Sequence, residues 1–166
     1  MKSRHIAREI ALQFLYRQDV SDASRTEVIT PVIRQLDISK IQRELENHFS
    51  HFNITGEVRD FASALVLGTL QNTSQLDLLL EKHASNWKVE RMGFIDRNLL
   101  RMSAYELNHF SDIPPAVTLH EAVELAKQFG TAETPAFVNG ILDAIHQEKL
   151  AGLSPKKGEA QDDNSG

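Results

Sequence analysis

The chain contains no cysteine. This excludes disulfides, thiolate metal sites and cysteine nucleophiles, and fits a protein of the reducing cytoplasm. No apolar run approaches the roughly 18 residues that suggest a membrane span. The basic N-terminus lacks the apolar stretch of a secretory signal, so export is not expected. No P-loop, G-x-G-x-x-G, G-x-S-x-G or H-E-x-x-H pattern is present. His120-Glu121 opens like a zinc-protease motif but continues Ala-Val-Glu, so the second histidine is missing. Positive charge is also scarce. The net charge of -5 argues against a broad nucleic-acid surface, because phosphate contacts come from Lys and Arg. No sequence repeats at a fixed period, which argues against a solenoid.

What is present is an ordinary globular composition, 41% hydrophobic and 25% charged over 166 residues. That length predicts one compact domain with a real core. We place it at residues 1–150, followed by a Gly-, Ser-, Lys- and Asp-rich tail at 151–166 whose composition predicts disorder.

Helical periodicity dominates, and no convincing alternating strand appears, so the expected fold class is all-α. A first helix is expected from Ser3 or Arg4, with Ile6, Ile10 and Phe14 as its apolar stripe and Arg4, Arg8, Gln13 and Arg17 facing elsewhere. Ser21 to Thr26 is polar and predicts a loop. A helical region follows Pro31, and another spans Ser39 to His51 with Ile41, Leu45 and Phe49 four apart. Thr55 is the expected N-cap of a long apolar helix, kinked or broken between Gly68 and Thr73. Trp87 lies in the connection to a helix over Phe94 to His109. Pro114-Pro115 stops that helix. Thr118 and Glu121 have capping-box spacing, Gly130 suits a C′ position, and Thr134-Pro135 suits the start of the final helix.

Sites with chemical potential are few. His48 and His51, at i and i+3, share a face on which a metal is conceivable, but no third ligand has useful spacing. Two solvated histidines at a helix end are the plainer reading. Glu90 and Asp96 form a carboxylate pair on paper, yet no nucleophile or cofactor motif accompanies them. We therefore expect no enzyme activity, no cofactor and no metal. The start K-S-R-H-I-A-R is more informative. In the first 20 residues Lys2, Arg4, Arg8 and Arg17 outnumber Glu9 and Asp19. Arg4 and Arg8 are one helical turn apart and would meet successive phosphates, although a short basic start is more often simply solvated.

Several blocks resemble a known family. A-R-E-I-A-L-Q-F-L-Y from Ala7 to Tyr16 resembles the first helix of the NusB family of antitermination factors. W-K-V-E-R-M-G-F-I-D-R-N-L-L-R-M-S-A-Y-E-L from Trp87 to Leu107 is similar to its central signature. Pro114 to Gly130 and Phe137 to Asp143 resemble its C-terminal one. The likeness is in order over nearly the whole patterned chain, weak from Ser21 to Thr55 and absent in the tail.

The resemblance implies a fold of two packed helical bundles. It also implies a partner, NusE, the small-subunit ribosomal protein that doubles as a transcription factor. Together they would bind single-stranded boxA RNA in nascent ribosomal RNA transcripts and act within the RNA polymerase antitermination complex. It places Lys2, Arg4, His5 and Arg8 in an RNA-binding start that is poorer in arginine than the family's. Tyr16, Lys127, Gln128 and Asn139 would extend that face. Tyr16 would otherwise be core, and Asn139 would otherwise cap or bridge helices, the slightly favoured reading. Glu90, Asp96 and Arg97 fall where NusE would dock. Self-association differs among family members, so a homodimer is left open. Two alternatives are a helical protein-interaction module without RNA binding and an accessory RNA-binding domain of an RNA-modification system. The polar tail leaves no room for a methyltransferase, so a stand-alone factor is expected.

Overall fold

The computed structural model describes residues 2–24, 37–85 and 87–153. Among them are seven α-helices, one short 3-10 turn and no strand. The helices are α1 (Lys2–Ser24), α2 (Ile38–His51), α3 (Gly56–Gln71), α4 (Thr73–His83), α5 (Phe94–His109), α6 (Pro115–Phe129) and α7 (Thr134–Leu153), with the turn at Val89–Arg91 before α5. The expected helical region after Pro31 lies outside the described residues, as does the tail from 154 onward.

Helix starts and stops follow local chemistry. Asp37 caps α2 by accepting the Lys40 N–H at 3.1 Å. The spacing-predicted residues Ile41, Leu45 and Phe49 are all buried on its inner face. Thr55 stands at the N-cap of α3 as expected, although its hydroxyl makes no capping bond. The expected break falls at Asn72. There the Asn72 amide donates to the Gly68 carbonyl at 2.7 Å and the Thr73 hydroxyl to that of Thr69 at 3.0 Å, adding to the Asn72 backbone N–H that both carbonyls accept at 3.2 Å. α5 occupies the predicted range.

Five expectations are corrected. α1 continues through Ser24, so Ser21 to Ser24 are helical rather than loop. Its buried apolar positions are Ala7, Ala11, Leu12, Phe14 and Leu15, whereas Ile6 is exposed and Ile10 only half-buried. α6 begins at Pro115, so Thr118 lies inside the helix instead of capping it. Gly130 follows α6 in an extended conformation, without the positive φ of a C′ glycine. What demands glycine there is space: a Cβ would meet the Thr134 side chain at 2.5 Å. α7 runs to Leu153, so the first tail residues are helical.

α1, α2 and α3 pack as one group, and α4 to α7 as a second. α5 lies between them, against α1 and α3 on one side and α4, α6 and α7 on the other. One hydrophobic cluster draws on all seven helices, including Leu15, Phe49, Leu65, Leu80, Leu99, Leu125 and Leu142. The crossing of α3 over α5 is close because Gly68 has no side chain: a Cβ there would fall 2.0 Å from the Tyr105 ring. No described helix is long and apolar enough to cross a membrane.

Candidate nucleic-acid interface

α1 and α6 both pack against α5. Lys2 is the first residue of α1. Arg4 is partly exposed; its Nη2 lies 3.5 Å from Asp112 Oδ2, and its guanidinium sits 5.1 Å from the centre of the Phe61 ring. His5 Nδ1 donates to Glu121 Oε2 at 2.5 Å, tying α1 to α6. One turn on, Glu9 accepts from the Gln128 amide at 3.4 Å. Lys127 is exposed and pairs with Glu124 at 3.2 Å within α6.

Arg8 departs from its expected place. It is only 4% exposed. Its Nε donates to Glu106 Oε1 at 2.6 Å, and the other Glu106 oxygen accepts from the Thr118 hydroxyl. Glu106 is itself 2% exposed. The guanidinium stacks 5.2 Å from the Phe61 ring, and its Nη2 is buried without a partner. One carboxylate of α5 therefore holds α1 and α6 together beneath the surface on which Arg4 and His5 lie. Arg8 is spent on this bond and does not reach the surface as a phosphate ligand. The reason is helical register: Arg8 shares a stripe with Ala11 and Leu15, which point inward.

The remaining predicted residues are dispersed. Tyr16 is partly exposed, its ring edge-on to Phe94 at 6.1 Å, so it is neither core nor fully free. Asn139 is exposed on α7, and its side chain makes no hydrogen bond to any described residue, contrary to the capping or bridging reading. Glu90 is exposed in the 3-10 turn. Asp96 accepts from the Thr134 hydroxyl at 2.9 Å and so fixes the start of α7. Arg97 grips Asp19 through two bonds of 2.5 and 2.6 Å and lies 4.4 Å over the Phe94 ring.

That last contact belongs to a clamp that sequence reasoning missed. Asp19 also accepts from Asn98 at 2.7 Å, and Arg101 reaches Asp77 of α4 at 2.6 and 2.9 Å. Burial pushes the Asp19 carboxyl up. The hydrogen bonds from Arg97 and Asn98 and the charges of Arg97 and Arg101 outweigh that effect and hold it below its ordinary value.

His48 faces α1 and the Phe52 ring, 6.2 Å from Phe14 and 4.8 Å from Phe52. Burial, then the charges of Arg17 and His51, lower its pKa. Among the described residues no group of three or more His, Cys, Asp or Glu side chains is placed to hold a metal ion. A cleft of about 730 Å3 opens beside His48 between α1 and α2, and none of the predicted RNA residues lines it.

The sequence profile of the NusB family matches residues 5–147. The chain belongs to the NusB family. A transcription antitermination protein NusB from Thermodesulfovibrio yellowstonii is 37% identical over 147 residues, covering 89% of this chain and 93% of that protein. One from Symbiobacterium thermophilum is 41% identical over 143 residues, covering 86% and 88%. Among solved structures, NusB of T. maritima superposes with a TM-score of 0.70 at 31% identity, covering 87% of this chain and 91% of its own. A chain in the crystal structure of antitermination factors NusB and NusE in complex with double-stranded RNA superposes with a TM-score of 0.69 at 27% identity, covering 89% and 98%. In NusB-family terms, the basic start is a surface pair, Arg4 and His5, above a buried ion pair.

The missed residues left different traces. Glu106 falls seven positions after Leu99 and three after Ser103, on the buried stripe of α5, so periodicity carried a signal. Asp112, Glu121 and Asp19 carried none, since partners more than 70 residues away in sequence are set only by folding.

Proposed function

We propose that this protein is a transcription antitermination factor. With NusE it binds the boxA element of nascent ribosomal RNA leader transcripts as single-stranded RNA, and helps RNA polymerase resist termination. The observation that carries this reading is family membership over nearly the whole described chain, together with the likeness to a chain of the NusB–NusE–RNA complex. The protein works by binding, in the cytoplasm, and has no catalytic role.

Arg4 and His5, with Lys2 beside them, supply phosphate contacts that position the RNA without reading it. Tyr16 offers a partly exposed ring for base stacking. Lys127, Gln128 and Asn139 extend the surface; each is exposed, and Asn139 has its amide free for a base edge. Glu90 is the member of the proposed NusE site whose charge is unspent. Asp96 and Arg97 shape that site through the bonds they make within the fold. Arg8 acts as a positioning residue, holding the helix that carries Arg4 and His5.

The test is binding of labelled boxA-type single-stranded RNA, with and without NusE, across a salt series. Binding that weakens with salt and strengthens with NusE is expected, each phosphate contact contributing about -0.7 to the log–log slope. Capture of NusE with no RNA binding at any salt would make the protein a protein-interaction module instead.

A further inference from the structure

Each basic side chain described at the α1 start faces a carboxylate from elsewhere in the chain. Arg4 faces Asp112, in the turn before α6, at 3.5 Å. His5 faces Glu121 of α6 at 2.5 Å. Arg8 is bound to Glu106. The first differs from the third in kind, and the second is intermediate, with His5 36% and Glu121 20% exposed. Arg4 is 43% and Asp112 67% exposed, so that pair is open to solvent and to a polyanion, whereas the Arg8 pair is closed to both.

We infer that Asp112 and Glu121 are affinity-determining residues of the RNA face: they occupy Arg4 and His5 in the free protein, and RNA binds by exchanging a phosphate for each carboxylate. The inference rests on the RNA-binding reading above. Physically, a phosphate at Arg4 neutralises a cation that is already neutralised. Asp112, once released, is left beside the incoming polyanion and takes up a cation from solution. That uptake offsets part of the counterion release that drives association, so these pairs lower both the affinity and its salt dependence. Exposed ion pairs are weak enough for such an exchange to be reversible.

The experiment compares wild type, Asp112→Asn, Glu121→Gln and the double variant in the salt-series titration with NusE and boxA-type RNA. Asp22→Asn is the charge-matched control. It removes one exposed carboxylate 18 residues further along α1 from Arg4, roughly 27 Å at helical rise. That exceeds a Debye length of about 10 Å. Each of the two test variants is expected to bind RNA roughly twofold to fivefold tighter, the range set by a weak surface ion pair. The salt slope is expected to steepen by up to about 0.7 when the Arg4 pair is released. Arg4→Ala should weaken binding more in the Asp112→Asn background than in wild type, because the phosphate contact is no longer offset. This last readout depends on the pairing and not on net charge.

Test variants that match Asp22→Asn in affinity and slope would overturn the inference in favour of a general charge effect. So would an Arg4→Ala loss that is the same in both backgrounds. If wild type and every variant fail to bind RNA at any salt, the RNA reading itself falls and takes the exchange with it. Wild-type binding with unresponsive variants sinks the exchange alone.

Discussion

Two arginines one turn apart on α1 have opposite fates, and the difference is burial. Removing Arg8 leaves the buried Glu106 carboxylate with only the Thr118 hydroxyl. An uncompensated buried charge costs about 3–5 kcal/mol, so Arg8→Ala should lower the urea midpoint markedly. Arg4→Ala removes an exposed pair and should shift stability by less than about 1 kcal/mol. Equal effects in denaturant titrations would contradict the placement of Arg8. Joint replacement of both arginines is therefore a poor probe of RNA contact, since it disturbs the fold as well. At His48 the folded-state pKa is depressed below 6.5, so the unfolded chain binds the proton more readily. The contribution of His48 is then present above that pH and is lost as pH falls below it. An NMR titration should place the His48 midpoint below 6.5, and His48→Gln should flatten stability against pH in that window.

At the level of elements, polar clamps and close approaches set how α5 meets its neighbours. Asp19 joins α1 to α5, and Arg101 joins α5 to α4. Because the folded Asp19 pKa is depressed below 3.8, the stability it contributes is present above that pH and is lost as the pH falls toward its folded value. Acid unfolding of Asp19→Asn should begin from a lower starting stability and show a shallower pH dependence below 3.8; an unchanged acid profile would remove Asp19 from the clamp. The α3–α5 crossing makes a second prediction. Gly68→Ala drives a methyl into the Tyr105 ring and should destabilise by roughly 1–3 kcal/mol, the usual penalty of overpacking. Gly140→Ala, within α7 and facing open space, should instead stabilise by up to about 1 kcal/mol through helix propensity. Thermal melts of the two variants would show opposite shifts.

Over the whole molecule, the two helical groups share one hydrophobic cluster. A shared core predicts a single cooperative unfolding transition for residues 1–150, with far-UV circular dichroism and fluorescence giving coincident curves. Two separated transitions would make the groups independent units. The same architecture sets the basic start of α1 against carboxylates of α5, α6 and the turn between them. With a net charge of -5 and with Arg4 and His5 paired internally, the chain alone should bind RNA weakly. On the proposed function, NusE would complete the surface.

The sequence by itself determined the helical class, the ranges of α2 and α5, the break at Asn72 and the family. These depend on apolar spacing, capping residues and local backbone chemistry, which act over a few positions. Periodicity even held the information that Glu106 and Arg8 lie on inward stripes, although charge suggested otherwise for Arg8. The tertiary structure alone decided which charges are spent. Glu106 takes Arg8, Asp19 takes Arg97, and Asp112 and Glu121 meet Arg4 and His5 across 78 to 116 positions. Such pairings depend on how helices are brought together in space, and no spacing along the chain encodes them. Thr118 is the clearest single case: its local pattern fits a cap, but the buried carboxylate of α5 offered its hydroxyl a bond, and the helix began three residues earlier at Pro115.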